Sequence, residues 1–133
     1  MNNAGEAKKR VAILASHPIE QQGPFFKELA KSSGIDIEVF YCWKFGVGKP
    51  TFDPEFGQAI QWDIPLLDGY KYKFLKNLAS NPTSAHFWGE VNPGIVPTIW
   101  SGKYDALIVY GWNSVTAWLA YFTAFARGTP IYI

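Results

Sequence analysis

At 133 residues the chain is one domain, long enough to bury a core of its own. A net charge of +1, with Lys and Arg scattered, forms no basic stripe and argues against nucleic acid as a partner. The single cysteine, Cys42, excludes an internal disulfide; within the apolar residues 39–43 it reads as a buried strand thiol of a protein kept in a reducing compartment.

Residues 1–10 are polar, end in Lys8, Lys9 and Arg10, and read as a disordered tail ahead of a domain over 11–133. The apolar run behind them, residues 11–15, is too short for a signal peptide or a bilayer span, so a soluble cytoplasmic protein is expected. Residues 11–16 (VAILAS) have the pattern of a central parallel strand buried on both faces. The spacing then predicts a helix over residues 24–33, with Phe25, Phe26, Leu29 and Ala30 on one side, Pro24 in its first turn and Gly34 at its exit. Residues 35–43 alternate Ile35, Ile37 and Val39 with Asp36 and Glu38, then turn apolar throughout. They read as a second strand, joined to the first by a right-handed crossover.

Residues 44–57 are rich in Gly, Pro, Asp and Phe and carry no usable period; a connection this long favours a functional loop. Residues 60–64 alternate weakly. Asp68 and Gly69 signal a tight turn before 70–74 (YKYKF), a strand with one wet face. Residues 77–90 read as loop or a short helical turn. Asn92 is expected to cap a helix that has Pro93 at its first position and runs to about Ser101. A buried strand follows over 104–110 (YDALIVY), ending in a turn where Asn113 or Ser114 caps a helix over 115–127. Gly128 stops that helix, and Pro130 opens a last strand. The order is that of a doubly wound, Rossmann-like α/β domain with a mostly parallel sheet. Because the final strand has no crossover after it, the reading is the front half of a larger α/β protein.

In such a sheet ligands bind beyond the carboxyl ends of the strands, where the strand order reverses. Two polar loops fall there, residues 16–23 and 110–114. Each precedes a helix N-terminus, whose free amides and dipole suit a phosphate or a polarised hydroxyl. His17 sits at the first strand end and suits proton transfer or a hydrogen bond to a sugar hydroxyl, unless it merely caps the loop or the helix. Glu20, Gln21 and Gln22 are surface residues by default, yet in a crevice they would bind hydroxyls. His86 is read as structural, and no His, Cys and Asp cluster has metal-ligand spacing. Walker and dinucleotide glycine patterns are missing, and residues 111–114 are not a nucleophile elbow. The aromatics are numerous, with six Trp, seven Tyr and ten Phe. Those in loops, among them Trp43, Phe52, Trp62 and Trp88, are assigned to interface or core ahead of ligand stacking.

Taken together, VAILASHP with IEQQGPFFKELA, then IEVFYCWKFGVG, FDPEFGQAIQWDIPLLDGY, FWGEVNPGI and YDALIVYGWNS resemble the N-terminal domain of bacterial glycosyltransferase family 4 proteins, the glycosyl transferase group 1. The likeness runs from about Val11 to Ile133. His17, Pro18, Ile19 and Gln22 match its first motif, while Glu20 and Gln21 stand where Gln and Tyr are expected. Gly111 and Asn113 match the turn after the fourth strand, where Tyr110 and Trp112 replace His and Tyr. The resemblance implies a GT-B enzyme of two Rossmann-like domains, of which this is the acceptor side. His17 would be the catalytic-site residue, and Gln22, Gly111 and Asn113 would bind substrate. No cofactor is implied beyond a nucleotide-sugar co-substrate held mainly by an absent donor domain, and the isolated chain should transfer nothing. Expected partners are that C-terminal domain or a separate chain supplying it, a sugar acceptor, or a second copy through the exposed last strand. The alternative is a non-catalytic binding or partner module of the same fold.

Overall fold

The structure is a computed structural model, and it describes residues 9–17, 22–32, 34–43, 51–53, 58–60, 69–80, 82–83, 85–111 and 113–132. Strands β1 (Lys9–Ala15) and β2 (Ile35–Tyr41) flank helix α1 (Gln22–Ala30) in the chain. Two short strands, β3 (Thr51–Asp53) and β4 (Gln58–Ile60), pair antiparallel as a small separate sheet. The remainder of the 44–57 loop and of the weak 60–64 alternation lies outside the described residues. Next come β5 (Lys71–Phe74), a single 3-10 turn at Phe87–Gly89, α2 (Ile95–Gly102), β6 (Ala106–Val109), α3 (Val115–Arg127) and β7 (Ile131–Tyr132).

The main sheet has five strands in the order β5-β2-β1-β6-β7, and every neighbouring pair is parallel. Strand order reverses at β1, so the gap between the carboxyl ends of β1 and β6 is the switch point of a Rossmann-like sheet. The period of two along each strand decides which helix it meets. Ala12, Leu14, Phe40, Cys42, Leu107 and Val109 point to one face, where Ile95 and Ile99 of α2 and Ala117, Ala120 and Ala124 of α3 close over them. Ile13, Ala15, Ile37, Val39 and Tyr41 point to the other, against Phe26 of α1. The alanines of α3 let that helix lie close to the sheet, because interaxial distance follows side-chain size at the contact.

Local signals set the helix ends. The Ser114 hydroxyl accepts from the Ala117 amide at 3.0 Å, resolving the choice between Asn113 and Ser114 for the cap of α3. Gly128, with φ of 79°, ends α3, and its amide donates to the carbonyls of the last turn. Helix α1 begins two residues before Pro24, bringing Gln22 into its first turn. The expected Asn92 cap is corrected: α2 starts at Ile95 behind Gly94, with no side-chain cap, because the Asn92 side chain is spent elsewhere. The tight turn at Gly69, with φ of 91°, leads into β5 at the outer edge of β2.

Candidate functional site

Four pieces of chain converge at the carboxyl edge of the sheet. Ser16 and His17 leave β1, Cys42 and Trp43 leave β2, Gly111 and Ser114 lie between β6 and α3, and residues 90–92 pass beneath α3 from the 3-10 turn. Leu14 pairs with Val109, and the Tyr110 amide donates to the Leu14 carbonyl at 3.0 Å, so the two polar loops emerge side by side. Gly111 holds φ of 100°, a conformation that favours glycine, and its carbonyl accepts from the Tyr121 hydroxyl at 2.8 Å. That bond ties the turn to the second turn of α3. Tyr110, at the position where the resemblance expects His, packs its ring against Phe26 on the α1 face, with centroids 5.8 Å apart.

The floor of this edge is a buried polar network. Glu90 is only 5% exposed, and its carboxyl accepts from the Ser16 hydroxyl, with Cys42 and Ser114 as further hydrogen-bond partners. Burial pushes this carboxyl above its ordinary value of 4.5, and the three hydrogen bonds pull the other way without cancelling it. The Cys42 thiol is raised as well, first by burial and then by the Glu90 charge, so it stays protonated and inert. Asn92, fully buried, directs its Nδ2 at the carbonyls of Cys42, Leu75 and Lys76, at 2.9, 3.2 and 3.0 Å. The Thr116 hydroxyl accepts from the Asn92 amide at 2.7 Å and shares its hydrogen between Asn92 Oδ1 and the Glu90 carbonyl. Asn92 thereby bolts the ends of β2 and β5 to the start of α3.

The network alters one expectation about α3. Three amides of its first turn are taken: that of Thr116 donates to the Glu90 carbonyl at 3.2 Å, that of Ala117 to Ser114 Oγ, and that of Trp118 to the Ser114 carbonyl. The corresponding approach to α1 runs through residues 18–21, outside the described residues.

Among the residues read from the sequence, His17 is half-buried beside Trp43, the rings 5.5 Å apart and edge-on, and its Nδ1 lies 2.9 Å from Ser16 Oγ. Gln22 is half-buried at the start of α1, and Asn113 is exposed in the turn before α3. All belong to the carboxyl edge, as does Gly111. His86 is exposed ahead of the 3-10 turn. Sequence reasoning missed Glu90, Ser16 and Thr116. Glu90 sits in a segment with no period to mark it buried, and Ser16 and Thr116 look like ordinary strand-end and first-turn residues.

Among the described residues no group of three or more His, Cys, Asp or Glu could hold a metal ion, and no helix is long and apolar enough to cross a membrane. No family model, no curated protein and no solved structure matches this chain.

Proposed function

We propose that this chain is a non-catalytic binding module of Rossmann-like fold, which takes a nucleotide- or sugar-type ligand at the carboxyl edge between β1 and β6. One observation carries the reading. The buried carboxyl of Glu90 is engaged by donors from Ser16, Cys42 and Ser114, so it serves to shape the edge, while His17, Gly111 and Asn113 leave the strand ends in the loops of that edge. A reacting acid would need its protons available to substrate. The module also offers a surface suited to a partner chain. Trp118, Phe122 and Phe125, at positions four and three residues apart, lie exposed along α3 at 42%, 66% and 82%.

Titration of the 15N-labelled chain with a nucleoside diphosphate sugar, the nucleotide and the free sugar tests the ligand site. Saturable shifts of the Ser16, His17, Gly111 and Asn113 amides are expected for at least one of the three. At a hundredfold excess over Kd, the unfolding free energy should rise by about 2.7 kcal/mol. Silence of these amides at millimolar concentrations would sink the reading. So would shifts confined to the opposite edge, where Ala30, Ile35, Gly69 and Lys71 line a groove of about 420 Å³.

The second reading is the acceptor half of a nucleotide-sugar-dependent glycosyltransferase, completed by a donor-binding domain or a separate chain. It is favoured by the resemblance of five segments between Val11 and Ser114. On this reading His17 contacts the reacting sugar or donor phosphate, Gln22, Gly111 and Asn113 line the cleft, and the residues present transfer nothing alone. Turnover of a nucleotide-sugar by the isolated chain would contradict both readings.

A further inference from the structure

Trp88 lies in the loop between β5 and α2 and is 69% exposed, the most exposed tryptophan among the described residues. It is therefore no part of the core. The backbone on which it stands is nonetheless fixed from both sides. The Gly89 carbonyl accepts from the Thr83 amide at 3.1 Å and from Asn77 Nδ2 at 3.0 Å, and the Gly89 amide donates to the His86 carbonyl at 3.1 Å. Asn77 Oδ1 accepts from the Val91 amide at 3.0 Å, and the Leu78 amide donates to the Val91 carbonyl at 2.8 Å. A Cβ at Gly89 would collide with the Thr83 carbonyl, so the approach is one that glycine alone permits. Phe87 meets the indole edge-on, with ring centroids 5.4 Å apart.

The same loop delivers Glu90 to the carboxyl edge. The Glu90 carboxyl accepts from the Ser16 hydroxyl at the end of β1, and two residues of chain keep the Cα of Trp88 within about 7 Å of that of Glu90. An indole held on a fixed backbone at that distance is a flat apolar face beside the β1–β6 gap, in place before any ligand arrives. We propose that Trp88 is a ring-stacking subsite of the carboxyl edge: a ligand seated between β1 and β6 lays a flat ring face, that of a nucleobase or the apolar side of a pyranose, on the indole. The proposal rests on the binding reading above and names the part of the ligand that reading leaves open. Stacking needs a flat face and no hydrogen-bond pattern, so the subsite selects rings over open chains and tolerates exchange of one ring for another.

The full chain is titrated with a nucleoside diphosphate sugar, the nucleotide and the free sugar, and the Trp88 indole Nε1–H is followed by 15N correlation together with the Ser16 and Gly111 amides. Saturable movement of all three is expected; when the nucleotide produces it the ring is the base, and when the free sugar produces it the ring is the pyranose. Amides that move while the Trp88 indole stays still overturn this proposal and leave the binding reading standing. An indole that moves without the amides overturns it too, and silence of all three overturns both. Trp88→Leu keeps an apolar side chain and loses the flat face. It should weaken binding by about fivefold or more, the lower end of what removing an aromatic stack costs, and Trp88→Phe should bind more tightly than Trp88→Leu. A smaller loss, or the reverse order, overturns the proposal. Where Trp88→Leu does not fold, the indole shifts of the wild-type chain decide alone.

Discussion

Asn92 is a single side chain on which three elements depend. It is fully buried, and its amide nitrogen supplies the carbonyls of Cys42, Leu75 and Lys76 while its Oδ1 accepts from Thr116. A buried polar group stripped of its partner costs about 1–3 kcal/mol, and here several would be stripped at once. Asn92→Leu, similar in size and without polar atoms, should therefore lower the unfolding free energy by roughly 3 kcal/mol in denaturant titration. A loss under about 1 kcal/mol would show that the carbonyls find other partners. None of this was legible in the residues 92–94, where Asn-Pro-Gly has the composition of a helix start. A cap is a local use of Asn and can be read from neighbours in the chain. A bolt uses partners 50, 17 and 16 residues away, and no local pattern reports them. Ser16 is the converse case: its place at a strand end follows from the apolar run before it, but its bond to Glu90 depends on a contact 74 residues apart.

Helix α1 stops at Ala30, ahead of the exit expected at Gly34, and the other two helices both close on a left-handed residue. Gly128 closes α3 at φ of 79°, and Lys103 closes α2 at φ of 54° with ψ of 47°, the same left-handed region carrying a Cβ. L-residues pay about 1 kcal/mol there, and glycine does not. Lys103→Gly should thus stabilise the fold by a few tenths to about 1 kcal/mol, and Gly128→Ala should destabilise it by about 1 kcal/mol, although open space around Gly128 leaves room for the methyl group. Opposite signs in matched thermal unfolding runs are the expected result; equal signs would mean that the conformation of the caps does not govern their stability. The strands were legible as elements, since 11–16 and 104–110 are continuous apolar runs bounded by polar turns. Which strands pair was decided by the tertiary structure, in the order β5-β2-β1-β6-β7. Among the described residues between 75 and 92 the chain has one 3-10 turn, and Asn77 organises it, its side chain binding the amides of Ala79 and Val91 and the carbonyl of Gly89. That pattern has no period to find.

At the scale of the whole molecule, Glu90 links stability to pH. Its folded carboxyl is raised above the ordinary 4.5, so between that value and the raised one the folded state holds a proton that the unfolded chain has released. Stability from this group is present below pH 4.5 and is lost as pH rises through the folded value, at up to about 1.4 kcal/mol per pH unit, then stays level. Glu90→Gln removes that slope. The difference between wild-type and Glu90→Gln unfolding free energies should fall with rising pH from 4.5 upward, and a difference that is flat or rises would contradict the burial of the charge. The sequence by itself determined the fold class and where the polar loops of the carboxyl edge lie. Hydrophobic runs, helix periods and Gly or Ser at helix ends are local signals, and the rules of parallel crossovers turn them into a sheet with one switch point. Only the tertiary structure decided that the amides of Thr116, Ala117 and Trp118 are consumed, that Asn92 is a bolt and that the buried Glu90 carboxyl meets Ser16. Those facts depend on which polar groups are buried together, and burial is a property of chain segments distant in sequence that meet only when the sheet has formed.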